Sequence, residues 1–529
     1  MARVALIKVF TGLNLGVSQL SGELQRAGHD TRLIYFKDFC PVPESEAHRY
    51  QRSDVTGMWI AARAKQMNCN TYKPFTEREY DLLLQTLRDF QPDLIGFGLT
   101  SVSFKECAET TMRVKQHFDV PVIWGGAGTV LEPERALQYA DMICMGEGEE
   151  LIVALADAID AKRDYSHLPN LWLKRNGDII RNPNAPLVDL EKIAIPDFEP
   201  ARTVHINDNR IRHNVYPPNL GRQYNIMTQR GCPYSCSFCI ESVYQDKYGK
   251  KESLRRRSVD IVIKELVQAK ERYGIKAVMF YDDVFTTHPK WLREFAPRYK
   301  EEVGLPFWCY TYPRTTRKEE ILMLKDAGCV SITMGVQSGS MTVLKEYNRP
   351  VPPAMSVQAA QDIVDCGVEI FFDLMTRSEY ETEETCRETF NFLLDFPRQV
   401  KTVGFYPMTK FPGYGYSRKV EQEQRTLTLT DADYNYYHKL YLLTRTQLPR
   451  WLVRAIGNAR LFRRFPSLID PLLPKQLPFF YLDQYAIDLE DAFRSASGGG
   501  AALSEVERNA APRPSAEPRE VGSDARSAA

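Results

Sequence analysis

Tyr224-Asn225-Ile226-Met227-Thr228-Gln229 runs directly into Arg230-Gly231-Cys232-Pro233-Tyr234-Ser235-Cys236-Ser237-Phe238-Cys239. The first six residues alternate and are partly β-branched, so they read as a strand and the cysteines as the loop that leaves it. Three and then two residues separate the thiols, a spacing that lets them converge on one centre. Thiolates suit iron–sulfur clusters and zinc, and a structural site of either kind takes four protein ligands. No fourth cysteine or histidine lies within the loop. Either Cys309 or Cys329 completes a zinc site from a distance, or three cysteines hold a cluster with one iron open to something other than protein.

The chain on either side of the loop sets the fold class. From Tyr224 to about Arg418 strands and helices alternate. Helix Ser258–Tyr273 leads to strand Ala277–Tyr281, helix Arg317–Ala327 to strand Ser331–Gly335, helix Pro353–Cys366 to strand Val368–Leu374, and helix Glu383–Phe396 to strand Thr402–Tyr406. Such a rhythm predicts a parallel α/β barrel, partial or full, over residues 222–426, with chemistry at the carboxyl ends of its strands. Asp282 and Asp283 follow the second strand, and Gly335-Val336-Gln337-Ser338-Gly339-Ser340 ends a later one.

Residues 1–165 carry the same alternation in a different arrangement. Strand Val4–Val9, helix Val17–Ala27 stopped by Gly28, and strand Thr31–Tyr35 precede an insertion at about 41–75. Helix Glu77–Phe90, strand Leu94–Gly98, helix Lys105–Phe118 and strand Val120–Trp124 follow it, and Asp141–Met145 reads as a last strand. This predicts a doubly wound parallel sheet that binds its ligand outside the strand ends. Gly125-Gly126 and Gly146-Glu147-Gly148-Glu149-Glu150 stand at two of those ends. No G-x-G-x-x-G follows the first strand, which argues against a nicotinamide domain.

The cysteine loop, with Phe238 before its third cysteine and Arg230-Gly231 before its first, resembles that of the radical S-adenosylmethionine (SAM) enzymes. Tyr281-Asp282-Asp283-Val284-Phe285 and the glycine-flanked Gln337-Ser338 resemble SAM-contacting segments of the branch that carries a cobalamin-binding domain. Gly125-Gly126 and Gly146-Glu147-Gly148 resemble the glycine loops of that domain. The resemblance implies a 4Fe–4S cluster on Cys232, Cys236 and Cys239, SAM held by Phe238, Asp282, Asp283, Gln337 and Ser338, and cobalamin beside Gly125, Gly126, Gly146, Glu147 and Gly148. It further implies reductive cleavage of SAM, formation of a substrate radical and C-methylation of an unidentified substrate. Cyclisation or another oxidoreductive rearrangement is the alternative within the class; a non-catalytic zinc- or cobalamin-binding module is the alternative outside it. An external one-electron reductant such as flavodoxin or ferredoxin is the implied partner.

Two segments depart from the pattern. Thr11-Gly12-Leu13-Asn14-Leu15-Gly16 has no histidine to replace a lower axial ligand of cobalt. Arg377-Ser378-Glu379-Tyr380-Glu381-Thr382 stands where relatives carry a Pro-Gly-Glu-Thr-like run. Arg314 is a further candidate for the SAM carboxylate or the cluster side.

The rest of the chain bounds the answer. Residues 166–221 read as a connector, with the Asn176-Gly177 hairpin signal. Residues 427–494 read as helical, and Arg450–Arg464 as a basic amphipathic helix that caps the barrel or touches lipid. Residues 495–529 have the composition of a disordered tail. The 529 residues balance 68 basic against 68 acidic side chains, so no net field draws nucleic acid or an anionic membrane. Eleven cysteines, with no signal-peptide pattern and no apolar run of roughly 18 residues, point to a reducing cytoplasm.

Overall fold

The computed structural model describes residues 1–11, 15–38, 59–60, 67–68, 74–216, 220, 223–400 and 402–473. Most of the insertion, part of the Thr11–Gly16 loop, the end of the helical region and the proposed tail lie outside the described residues. In the first sheet, strands Asp30–Asp38, Arg3–Thr11, Leu94–Gly98, Val122–Gly125 and Met142–Cys144 lie side by side and parallel, in the sequential order 2-1-3-4-5 of one doubly wound class. Their residues are apolar almost throughout because helices cover both faces.

The connector is where the expectation needs correcting. Its residues are not a spacer; they form both edges of this sheet. Leu171–Arg175 and Asp178–Arg181 add an antiparallel hairpin beside Met142–Cys144. Asn176 and Gly177 both adopt positive φ, as a two-residue turn between twisted strands requires. At the opposite edge Thr203–Asn207 pairs parallel with Asp30–Asp38, and Arg210–His213 returns antiparallel to it.

The second sheet holds six parallel strands in chain order: Gln223–Ile226, Ala277–Phe280, Phe307–Thr311, Cys329–Gln337, Glu369–Thr376 and Thr402–Pro407. The first and last do not pair, so the barrel is partial. Beyond the last strand, Trp59–Ile60 and Met67–Asn68 add antiparallel pairing. Alternate strand residues such as Phe280, Cys309, Met334 and Phe372 are fully buried against the outer helices. Their neighbours Tyr281, Tyr310, Gly335, Asp373 and Tyr406 face inward and stay partly accessible. Helix Asp431–Leu443 packs on the outer layer, where Arg445 donates to the carbonyls of Pro397 and Leu393. In helix Arg450–Asn458, Val453 and Ile456 are buried and Gly457 lies against the Phe390 ring, while Trp451 is exposed. That helix therefore caps the barrel's flank.

Candidate functional site

The cysteine loop is fixed on every side. Gln229–Arg230 pairs antiparallel with Arg255–Arg256. Gly231 then takes φ +83° so close to the Ser253 carbonyl that a Cβ would overlap it, and only glycine suits that turn. Helix Ile240–Tyr248 begins at Cys239. From it the Gln245 amide donates to the carbonyls of Cys232 (2.6 Å) and Tyr234 (3.0 Å) and accepts from Ser235 Oγ at 2.5 Å. Asn348 donates to the Ser235 carbonyl at 2.6 Å, and the Ser237 amide donates to the Tyr347 carbonyl at 3.0 Å.

Cys232 and Cys236 are buried and Cys239 is partly accessible. Burial pushes the Cys232 thiol up to about 12 and Cys239 well above its ordinary range, with Asp283 and Cys236 adding to both. Thiols so disfavoured as anions ionise once a cationic centre arrives. Arg349 donates from Nη1 to Cys236 Sγ at 3.5 Å and from Nη2 to the Gly335 carbonyl. Its guanidinium lies 4.0 Å over the Tyr312 ring, which stacks on Tyr234 at 3.6 Å. Among the described residues no three His, Cys, Asp or Glu side chains gather around a single ion. Cysteines that each take a different iron have no need to. Cys309 and Cys329, the proposed distant zinc ligands, sit in the barrel's outer apolar core; neither can reach the loop from that face.

The two pairs expected to hold SAM divide. Asp282 is fully buried, and its carboxylate accepts from the Thr228 amide (2.6 Å), the Gln229 amide (2.7 Å) and Thr228 Oγ1 (2.6 Å), with Arg256 at 3.7 Å. It is a clamp on the end of the cysteine strand, which corrects its expected place as a direct contact. Asp283 is accessible and makes no hydrogen bond or ion pair with described residues. Burial, with Asp282 behind it, raises its carboxyl to about 6. Ser338 likewise turns inward, sharing a bond with Thr389 Oγ1 at 3.3 Å and accepting from the Ser340 amide at 3.1 Å. Gln337, in the left-handed region at φ +72°, offers a side-chain amide with no protein partner among the described residues. Phe238 meets Tyr347 edge-on at 5.3 Å. Asp283, Gln337 and Phe238 are thus the members of the expected set that can reach a ligand.

Sequence reasoning missed Glu241 and Arg349. Burial, and then Asp283, pushes Glu241 to about 8. Its position two residues past the third cysteine was a usable signal; Arg349 is brought in only by tertiary packing. Arg314 is corrected: it lies on the surface and donates to the Pro350 carbonyl at 2.6 Å.

A cavity of about 470 Å³ separates the loop from the first sheet, within the range of small-molecule sites. Gly125, Gly126, Gly146, Glu147 and Gly148 line one wall, together with Lys8, Gly98 and Thr100; Met227, Arg230, Gly231 and Glu241 line the other. The Glu147 side chain is not free for a ligand. It accepts from Arg230 (2.9 Å), Arg255 (2.5 Å) and the Val188 amide (2.8 Å), while Glu149 accepts from Arg230 at 2.5 Å. Burial raises the Glu147 carboxyl, but the two arginines outweigh it and hold the group below the usual range. A glutamate predicted to touch cobalamin is instead a clasp between the two domains. Glycine is needed at 146 because a Cβ would overlap the Tyr248 hydroxyl, and at 126 because φ is +109° and Leu99 O would lie 2.5 Å away.

A glycine-walled cleft on a doubly wound sheet, facing a three-cysteine loop at the mouth of a partial α/β barrel, defines an iron–sulfur enzyme with a second cofactor domain. Residues 226–393 match the radical SAM superfamily and residues 9–156 match the B12 binding domain. The chain belongs to the radical SAM superfamily, in the branch that carries a B12-binding domain. It is 26% identical over 339 residues to an uncharacterized methyltransferase of Pyrococcus horikoshii, covering 63% of this chain and 70% of that one. It is 24% identical to the anaerobic magnesium-protoporphyrin IX monomethyl ester cyclase of Rubrivivax gelatinosus (60% and 56%) and to the cytidylyl-2-hydroxyethylphosphonate methyltransferase of Streptomyces wedmorensis (50% and 54%). The chain therefore spans little more than half the length of the last two. Its fold is that of the radical SAM methyltransferase TsrM from Kitasatospora setae, solved with cobalamin and a 4Fe–4S cluster (TM-score 0.59, 20% identity, 80% of this chain and 75% of that one). It is also that of the cobalamin-dependent SAM radical enzyme OxsB (TM-score 0.62, 14% identity, 94% and 79%).

Proposed function

We propose that this chain is a cobalamin-dependent radical SAM C-methyltransferase, with Cys232, Cys236 and Cys239 as ligands of a 4Fe–4S cluster. The observation that carries the reading is that Asp283 and Glu241 both act on the Cys232 and Cys239 thiols, while Glu241 lines a cavity whose opposite wall carries the glycines. Bound together, the cluster, SAM and cobalamin supply one-electron cleavage of the sulfonium and transfer of a methyl group. Asp283 offers its carboxylate to the ammonium of SAM, and Gln337 offers an uncharged amide beside it. Arg349 donates to Cys236 Sγ and ties that side of the loop to the Gly335 carbonyl. Asp282 holds the strand end so that these groups keep one geometry. The clasp of Arg230 and Arg255 on Glu147 fixes the distance between the two cofactor walls. Among the described residues lining the cavity there is no histidine, so cobalamin held here would draw no imidazole ligand from them.

Anaerobic reconstitution tests this in three readouts. Iron and sulfide content reports the cluster. Electron paramagnetic resonance of the cob(II)alamin form should lack nitrogen superhyperfine splitting. Products separate the mechanisms: methyl transfer releases S-adenosylhomocysteine as well as 5′-deoxyadenosine, whereas the cyclase reading, favoured by the similarity to the Rubrivivax enzyme, releases the deoxyadenosine without it. A reductant such as flavodoxin or ferredoxin supplies the electron. The nine described cysteines are all free.

A further inference from the structure

We infer that the barrel lumen binds a substrate carrying a protonated amine, with Asp373 as its counter-ion and Tyr281 and Tyr310 beside it. The inference rests on the radical SAM reading only for placing the substrate in the lumen. Asp373 stands mid-strand with its side chain inward. Its register partners on the two neighbouring strands are Gly335 and Gly404, which carry no side chains of their own; the Gln337 amide and the Arg349 guanidinium lie over Gly335, and Arg349 is tied to the Gly335 carbonyl rather than paired with Asp373. At Gly404 a Cβ would lie 2.7 Å from Asp373 Oδ1 and 2.6 Å from the Tyr406 ring; glycine lets Tyr406 reach that carboxylate. Burial pushes Asp373 up to about 7, and the bond to Tyr406 is all that opposes it. No cation pairs with Asp373 among the described residues. An acid buried without a counter-charge is costly, and here the missing charge is one a ligand can bring.

The surroundings fit an organic cation better than an anion or a neutral molecule. The Tyr281 ring lies 5.8 Å from Trp308 and 6.2 Å from Tyr310, and Trp308 lies 4.3 Å from Tyr310. Trp308 is fixed by donating to Thr333 at 3.0 Å. The Tyr281 and Tyr310 hydroxyls have no hydrogen-bond partner among the described residues, yet they are not sealed from the lumen. Aromatic faces around a carboxylate bind ammonium groups through the ring quadrupole and the charge-assisted bond together.

The test compares probes of matched shape on the anaerobically reconstituted holoenzyme: phenethylamine, phenethyl alcohol and 3-phenylpropionate, with binding read by ligand-observed NMR. The wild-type protein should bind the amine at least about tenfold tighter than the carboxylate. Asp373→Asn should erase that preference, and Tyr310→Phe should weaken binding while keeping the preference. Equal affinities, tighter binding of the carboxylate, absence of amine binding at saturating concentration, or an unchanged preference in Asp373→Asn would each overturn the assignment. SAM cleavage and corrinoid uptake are scored separately on the wild-type protein. Their absence defeats the proposed function, whereas the probe comparison needs no turnover.

Discussion

The two walls of the central cavity are built on opposite plans. On the first sheet, the strand ends supply glycines, and protein neighbours account for two of them: Leu99 presses on Gly126 and Tyr248 on Gly146. Its one prominent acid, Glu147, is spent on Arg230 and Arg255. On the barrel side Glu241 lines the cavity, and it, Asp283 and Gln337 keep polar groups without partners among the described residues; Asp373, deeper in the barrel, lacks a counter-charge among them. One wall is shape and the other is chemistry. A large flat ligand needs the first kind of surface, and a reacting centre needs the second.

The largest effect that could break this contrast belongs to the cysteines. Changing Cys232, Cys236 or Cys239 to alanine should abolish the visible charge-transfer absorption of the reconstituted protein, while Gly125→Ala should leave it intact. A Cβ at 125 meets only the Cys144 Cβ, at 3.6 Å. Full cluster content in the triple cysteine variant would end the assignment.

Next comes the split within the acidic pair. Asp282→Ala removes a buried charge from beside Arg256 and leaves three donors unpaired, so it should lower stability by about 3–5 kcal/mol in denaturant unfolding and loosen the cysteine loop. Asp283→Asn should not lower stability near neutral pH, since its carboxyl is already raised, and should weaken SAM binding by about 1.5–3 kcal/mol, read by calorimetry. Equal effects of the two variants on SAM affinity would show that the clamp and the ligand group had been wrongly separated. A smaller change is expected at the clasp. Arg230→Gln should cost about 1–3 kcal/mol, the penalty for stranding buried partners. It should speed hydrogen exchange in Gly146–Glu149 and weaken corrinoid uptake, with the cluster retained.

Much of this was legible in sequence because period and spacing are local. The strand rhythm placed barrel strands from Tyr224 to Tyr406, and the loop spacing singled out the three cysteines. Adjacency misled at the strand ends. Asp282 and Asp283 look alike in sequence, yet in the turn beyond strand Ala277–Phe280 the first is fully buried and the second accessible, and so one is a clamp and the other is open to a ligand. Gln337 and Ser338 divide in the same manner. The connector was misread because edge strands take their partners from distant sequence: Thr203 pairs with Leu33, a relation that no local pattern encodes. Arg349 reaches Cys236 across more than a hundred residues and was invisible for the same reason. Glu147 sits in a glycine run that resembles a ligand loop, but its partners come from the other domain.

The smallest effect sharpens the contrast from the chemical side. Asp373 titrates near 7 in the folded protein and near 3.9 when unfolded. Both states bind the proton below about pH 4, so the group then costs nothing. As pH rises from about 4 to 7 the unfolded chain ionises first, and stability is lost across that window. Asp373→Asn removes the titration. Its melting temperature should match the wild type near pH 4 and exceed it by a few degrees at pH 8. The groups facing Asp373 are Tyr406 and Tyr310, with Gln337 and Arg349 over the neighbouring Gly335 and Asp283 on the other side of Tyr310; the tyrosines stay neutral throughout, and the others are unchanged in the variant. Phenethylamine should oppose the wild-type loss by pairing with the carboxylate, narrowing the gap at pH 8 but not at pH 4. A pH-independent difference between the two proteins would mean that Asp373 already has a counter-charge. The lumen would then be no more reactive than the glycine wall opposite it.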